Sequence, residues 1–463
     1  MDLEHDSNSL ISANWKAADL LRQSSCIIWD EAPASHRFVL ELCNRFMQDI
    51  CSNPLPFGGK TIVTGGDWRQ TLPVVHRGTN AQTVAACLRM SNLWPLFQQN
   101  TYILTRNMRS TNPLFAQWLL DIGNGISGST IDFAQRNIRL VHSTRALIQA
   151  TFGLLLNSST LPSLARTAIL TPTNKNSFLL NEEVLTLVNG ASGLHFSIDW
   201  PIVDRDRNHL VIPEEFLQTL TPPGLPLHRL HLKQNCIYML LRNMNVKEGL
   251  CNGTRFFLEG FSPNVLFCLT IPNDPSQPGK KFMLPRINCK TPKHYPFAFM
   301  RRQFPVRAAF AMTINKAQGA TLDAEGLDLT SPVFGHGQLY VALSRVKDFD
   351  KITILTCHSQ TTTKNVVFHE VFDKEYIDTQ IRLRTEHPII SSRMDTDAYC
   401  MPNNSGNMYC DDETEAFIDQ LDHYDQYDPD DGVGEQDNPD TYMYTHDEMA
   451  FEEDWVPYDH WRD

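Results

Sequence analysis

The chain has 463 residues, 42% of them apolar, and a formal net charge of −13. That length supports two to four domains with substantial cores. No apolar run approaches the ~18 residues of a membrane-spanning helix, so no membrane span is expected, and the 11 cysteines, scattered without a C-x-x-C pair, argue against a disulfide framework or a zinc site and for a reducing compartment.

The charge is unevenly placed. Residues 401–463 carry 20 Asp and Glu against one basic residue, Arg462, so this stretch alone contributes −19 and the first 400 residues are left at +6. A mildly basic body suits a polyanionic partner. A tail such as DQLDHYDQYDPDDGVGEQDNPD repels itself and lacks apolar mass, the composition of a disordered, solubilising segment. The opening MDLEHDSNSL is acidic and polar, unlike a secretory signal.

Taken in chain order, Cys26-Ile27-Ile28-Trp29 is a short apolar run ending in Asp30-Glu31, which reads as a buried parallel strand with function at its carboxyl end. A helix follows, with Val39, Leu42, Phe46 and Ile50 on one face. Next comes PLPFGGKTIVTGGDWRQ, residues 54–70. Gly59-Lys60-Thr61 resembles the end of a phosphate-binding loop, but the first glycine of G-x-x-x-x-G-K-[ST] would fall on Pro54, which has no N–H and cannot take a positive φ. The β-branched run Thr61–Thr64 that follows reads as a strand, with Lys60 opening it. Further strands are expected at Tyr102-Ile103-Leu104 and Ala168-Ile169-Leu170, the latter followed by a helix burying Leu180, Val184, Leu187 and Val188. From about 200 to 300 the chain turns rich in Pro, Gly and Asn. Short alternating stretches at 236–241, 255–258 and 265–269 read as a small β-rich insert. The α/β pattern returns over 306–356. Beyond about 390 periodicity is lost.

Several constellations carry chemistry. Asp30-Glu31 at a strand end is a Walker B arrangement, in which the Asp holds Mg²⁺ and the Glu orients and deprotonates the attacking water. Gly65-Gly66-Asp67-Trp68-Arg69-Gln70 places two glycines for close backbone approach, and Asp67 and Gln70 at a sheet edge. Arg109 and Arg345 are candidate arginine fingers, because a guanidinium fork suits the spread charge of a transferring phosphoryl group. In the run Met312–Asp323 a strand enters a loop where Asn315, Lys316, Gln318 and Thr321 cluster about Gly319, polar groups able to touch phosphate and nucleic-acid backbone.

The order IIWDEAP, PFGGKTIVTGGDWRQTLPVV, LTRNMR, ILTPTN, LLRNMNVKEGLCNGTR, RRQFPVRAAFAMTINKAQGATLD and VFGHGQLYVALSRV closely resembles the petite-integration-frequency (Pif-type) superfamily-one DNA helicases. It looks closest to the Helitron-transposon branch. The resemblance covers roughly residues 15–360. It implies an α/β chain with two RecA-like parallel-sheet domains, the first truncated at its N-terminus, and a small β-barrel insert. The corresponding boundaries are 1–100 for the first RecA-like domain, 101–228 and 301–390 for the second, 229–300 for the insert and 391–463 for the tail. It implies ATP and Mg²⁺ as cofactors, single-stranded and forked DNA as partners, 5′→3′ unwinding, a monomer, no membrane, and a nuclear or mitochondrial location. By position, Asp30 and Glu31 are the Walker B pair, Asp67 and Gln70 sense the γ-phosphate, and Arg109 and Arg345 are fingers. Gln318 and Gly319 belong to the nucleotide side of the linking loop, and Asn315, Lys316 and Thr321 to its DNA side. Asn315 replaces a histidine common in relatives. Lys233–Tyr238 departs from the usual Gly, Pro and Val, so looser packing is expected there.

One family element is not found. Only 29 residues precede Asp30, and no G-x-x-x-x-G-K-[ST] occurs in the 463 residues. The expectation is a helicase fragment with little or no ATPase of its own and an exposed core face near 26–29 and 61–64. The alternatives are a catalytically dead single-stranded-DNA-binding remnant or a regulatory protein acting through its acidic tail.

Overall fold

The computed structural model describes residues 16–386 apart from 76–77, 137, 154–155, 157–163, 203–211, 223, 272–278, 293–294, 296 and 358–359. The acidic segment expected to be disordered, 391–463, lies outside the described residues.

Cys26–Trp29 pairs in parallel with Thr61–Thr64, Cys26 opposite Thr61 and Trp29 opposite Thr64. The helix Arg37–Cys51 makes the crossover. His36 caps it, its Nδ1 accepting from Phe38 N at 3.1 Å. Burial, then the neighbouring Arg37 and Arg384, lowers the His36 pKa to about 4, which keeps the ring a neutral acceptor. The helix buries Arg37, Leu40, Glu41, Met47 and Ile50, so the core face is turned from the expected Val39, Leu42, Phe46 and Ile50. Leu40, Met47 and Ile50 pack with Phe57 and Leu88, and Val39, Leu42 and Phe46 lie half-buried on the flank. Periodicity alone does not separate the two stripes.

The first strand is parallel as expected but is not buried on both faces. Ile27, Trp29 and Ile62 turn toward the helix, whereas Ile28 is 78% and Val63 48% exposed. A two-strand sheet with one crossover helix has only one covered face. Tyr102-Ile103-Leu104, expected as a strand, forms no ladder and is 81–95% exposed. Strand-forming side chains do not make a strand without an edge to pair with.

The main sheet has five parallel strands, in the order Ala311–Thr313, Thr167–Thr171, Ala324–Leu329, Ile352–Thr356 and Arg139–Val141. Thr167–Thr171 is buried at every position. Ile169 joins one core with Leu147, Ile148, Leu180 and Val184, while Ala168 and Leu170 join the other with Phe115, Trp118, Leu339 and Val341. Both faces are therefore covered, the condition for a continuous apolar parallel strand.

The β-rich part reaches beyond 229–300. Five antiparallel strands run in the order Lys281–Pro285, Val265–Thr270, Arg255–Phe261, Ile237–Leu240 and Val306–Ala308. Ile287–Lys290 pairs with Phe299–Gln303, which pairs with Ile198–Pro201. Ser192–Phe196 pairs with Arg229–Lys233. Strands at 192–201 and 299–308 thus complete sheets whose other members lie inside the expected insert, because edge strands take partners from wherever the chain returns.

The expected looseness at Lys233–Tyr238 is not found. Cys236, Ile237 and Tyr238 are fully buried, Asn235 supplies the left-handed turn at φ 65°, and Lys233 N donates to the Tyr238 hydroxyl at 2.8 Å.

Candidate functional site

The site lies where the strand ends of the two lobes meet. Gly65 N donates to Trp29 O at 2.8 Å and Ala32 N to Gly65 O at 3.0 Å, which ties Asp30-Glu31 beside Gly65-Gly66. At Gly66 a Cβ would lie 2.2 Å from Pro33 Cδ, so the close approach requires glycine. Glu31 holds a left-handed conformation, φ 51° and ψ 30°. Asp30 is exposed, and its Oδ1 accepts from Glu31 N at 2.9 Å.

Glu31 is bound to the second lobe. Gln318 Nε2 donates to Glu31 Oε2 at 3.0 Å, and Thr71 Oγ1 donates to Gln318 Oε1 at 2.6 Å. Gln318 follows the short helical turn Asn315–Ala317, and Gly319 has φ 78°. Asn315 Oδ1 accepts from Gln338 Nε2 at 3.4 Å. Lys316 is half-buried, and Gly319 and Thr321 are exposed.

Asp67 makes the second link between lobes. Its Oδ2 accepts from the Tyr340 hydroxyl at 2.7 Å, and its Oδ1 from Arg69 N at 3.1 Å and Arg69 Nη1 at 3.0 Å. His336 supports the same contact: its Nε2 donates to Trp68 O at 2.9 Å and its Nδ1 accepts from Phe368 N at 2.8 Å. Those partners fix a neutral ring, and burial lowers its pKa. At Gly337, φ 72°, a Cβ would meet Arg69 O at 2.2 Å. Gln70 Oε1 is buried and has no hydrogen-bond partner among the described residues.

The two arginines converge on the last turn of the helix Gln338–Leu343. Arg345 is only 2% exposed. Its Nε donates to Val341 O at 2.8 Å, its Nη2 to Ser344 Oγ at 2.7 Å and its Nη1 to Ala320 O at 3.4 Å. Arg109 Nη1 donates to Ser344 O at 2.6 Å. Among the described residues neither guanidinium has a carboxylate within salt-bridge distance. Burial, then the charge of Arg109, pulls the Arg345 pKa down to about 10, opposed by Glu325, Tyr340 and Glu31. Two like charges held together over orphan helix carbonyls form a positive end that favours an anion.

Lys60 stands apart from this cleft. Its Nζ donates to Arg22 O at 2.6 Å, at the end of the helix Lys16–Gln23. Gly58 is wedged against Met47, where a Cβ would lie 2.4 Å from Met47 O. The Gly-Lys-Thr triplet therefore serves a structural turn and opens the Thr61–Thr64 strand.

The cleft also contains Thr71, His336 and Tyr340, which sequence reasoning did not single out. Tyr340 and His336 lay inside the quoted VFGHGQLYVALSRV motif, but their partners in the other lobe, Asp67 and Trp68, lie 273 and 268 residues away.

Residues 1–132 match the family described as PIF1-like helicase, and residues 215–261 match the 2B domain of DNA helicase Pif1. The ATP-dependent DNA helicase Pif1 of a Psychrobacter is 26% identical over 390 residues, covering 73% of this chain and 54% of its own. Human ATP-dependent DNA helicase PIF1 is 33% identical over 132 residues, 27% of this chain and 19% of its own. The chain spans 25% of the zebrafish relative and 65% of the Bdellovibrio one, so the matches cover part of each relative's length. Among solved structures, Pif1 helicase from Candida albicans aligns with a TM-score of 0.53 at 19% identity over 80% of each chain. Pif1 helicase from Bacteroides in complex with ADP-AlF3 and ssDNA aligns with a TM-score of 0.51 at 20% identity, over 82% of this chain and 80% of its own. The α/β architecture is that of these helicases.

Proposed function

We propose that this chain, a Pif1-type superfamily-one sequence by its family matches and fold, is a monomer that carries the carboxylate, coupling-loop and arginine side of a site for ATP-dependent 5′→3′ DNA unwinding and binds single-stranded DNA. The observation that carries the reading is the bond from Gln318 to Glu31 beside Arg109 and Arg345. A carboxylate of one lobe, a loop of the other and two cations without a carboxylate partner among the described residues meet in one cleft.

The residues fit part of a Mg²⁺–ATP site. Asp30 would hold the metal and Glu31 the attacking water, with Arg109 and Arg345 taking phosphate charge. Gln70, with a buried oxygen lacking a partner among the described residues, would take a donor. Bound Mg²⁺–ATP supplies the phosphoanhydride whose cleavage drives movement. In this reading Gln318 relays the state of Glu31 to the loop bearing Asn315, Lys316 and Thr321, which grips the DNA backbone. Asp67, shared between Tyr340 and Arg69, acts as a tie between lobes more than as a direct phosphate sensor.

The backbone cradle of a phosphate loop is not among the described residues, and Lys60 is committed to Arg22 O. We therefore assign these 463 residues salt-sensitive single-stranded-DNA binding with little ATP turnover by themselves.

The test is fluorescence anisotropy with a labelled oligothymidylate across a salt series, alongside DNA-stimulated phosphate release. Binding that weakens steeply with salt is expected. Absent or salt-independent binding overturns the DNA reading, and rapid ATP hydrolysis overturns the assignment of low turnover. A chimera carrying a relative's phosphate-loop segment is expected to hydrolyse ATP, and Glu31→Gln in it to keep ATP binding but lose turnover. Retained turnover removes the role given to Glu31.

A further inference from the structure

The sheet of Ile198–Pro201, Phe299–Gln303 and Ile287–Lys290 has two unlike faces. Its inner face is closed by Arg301, which is fully buried. Arg301 Nη2 donates to Asp199 Oδ2 at 2.7 Å and to Leu217 O at 2.8 Å, and its Nη1 to Leu220 O and Pro226 O. The helix Glu214–Thr219 lies on this side.

The outer face bears large apolar side chains instead. Ile198 and Trp200 are 60% and 37% exposed with Asp199 buried between them, and Phe196, the last residue of the adjoining strand Ser192–Phe196 in a separate two-stranded sheet, continues the alternation at 52% exposed beyond buried Ser197. Strand register sets cations beside them. Arg302 is directly opposite Ile198. Lys290 is in the same ladder row as Trp200, one strand beyond Met300. Arg229 is opposite Phe196, its guanidinium 5.9 Å from the ring centre. Arg229, Lys290 and Arg302 are all exposed.

Aromatic rings alternating with cations across a sheet are the elements of single-stranded nucleic-acid recognition: bases stack on the rings and phosphates pair with the cations. The core of a protein interface is depleted of lysine, whereas Lys290 here lies in the same ladder row as Trp200. We propose that this outer face binds single-stranded nucleic acid, with bases on Phe196 and Trp200 and phosphates on Arg229, Lys290 and Arg302. It deepens the DNA-binding reading above and rests on it, adding a contact on a sheet other than the one bearing Gln318.

The experiment uses the full chain and labelled oligothymidylates, short and long, in anisotropy titrations over salt. Phe196→Ala/Trp200→Ala is expected to weaken binding of the long oligomer about 30-fold or more, the effect of losing two stacked bases. Lys290→Ala/Arg302→Ala is expected to lower the salt slope by about 1 per cation removed. Trp200→Phe should largely restore affinity. All these side chains point outward, and unchanged thermal unfolding serves as the check on folding.

Unchanged affinity and slope in both double variants, with Lys316→Ala still weakening binding, overturns this inference and leaves the DNA-binding function standing. Equal losses for single- and double-stranded probes overturn it as well, since paired bases cannot stack on the rings. No DNA binding by the unaltered chain overturns both readings.

Discussion

Tyr340 donates its hydroxyl to Asp67 Oδ2 at 2.7 Å across 273 residues of sequence. The bond ties the Gly65–Gln70 turn of the first lobe to the helix Gln338–Leu343, at whose C-terminal end both arginines donate. Tyr340 is held protonated by burial and by Asp67, so it stays a donor through the neutral range. Tyr340→Phe deletes the donor and leaves Asp67 with Arg69 alone. A hydrogen bond to a charged group contributes about 1.5–3 kcal/mol. The expected loss is on the order of 1–2 kcal/mol in urea unfolding, and Asp67→Asn in the Tyr340→Phe background should add less than it does alone. Independent, fully additive losses would show that the two residues do not act as a pair.

His36 makes stability depend on pH. Its pKa is near 4 in the folded chain and ~6.5 when unfolded, so protonation favours the unfolded state. The stabilisation is complete above pH ~6.5 and falls away as pH drops toward about 4. The shift corresponds to roughly 3 kcal/mol. His36→Asn retains a capping acceptor for Phe38 N and is expected to flatten the unfolding midpoint between pH 6.5 and 4. A profile as steep as that of the unaltered chain would assign the dependence to other groups.

The buried pair of Arg301 and Asp199 is fully satisfied, since Ser197 Oγ also donates to Asp199 Oδ1 at 2.7 Å. Removing one partner leaves an uncompensated charge in the interior, which costs about 3–5 kcal/mol. Arg301→Met alone is expected to destabilise by that amount in denaturant unfolding. Arg301→Met/Asp199→Leu should recover part of the loss. A single variant as stable as the parent would mean that water reaches the site.

Lys60→Met separates the two readings of Gly59-Lys60-Thr61. The structure assigns the ammonium to Arg22 O, so the expected cost is about 1 kcal/mol, with nucleotide affinity unchanged in a fluorescent-nucleotide titration. Loss of nucleotide binding with stability intact would make Lys60 a phosphate ligand.

The sequence alone marked part of the cleft. Asp30-Glu31, Gly65–Gln70, Asn315–Thr321 and Arg345 are contiguous motifs at strand or helix ends, and local pattern is enough to mark such ends. It also determined the α/β class, because the apolar run Ala168–Leu170 within the strand Thr167–Thr171 and the helix Asn174–Leu187 follow from short-range periodicity. Tertiary structure decided what each motif touches. Tyr340 became the partner of Asp67, Thr71 that of Gln318, and Lys60 a cap on a neighbouring helix. It also decided that Tyr102–Leu104 finds no ladder, and that the β-rich sheets recruit strands from 192–201 and 299–308, whereas the exposure of Ile28 and Val63 follows the exposed core face expected near 26–29 and 61–64. Hydrophobic periodicity reports which side chains favour burial. Whether a second surface is present to bury them, and which distant donor meets which acceptor, depends on the three-dimensional return of the chain.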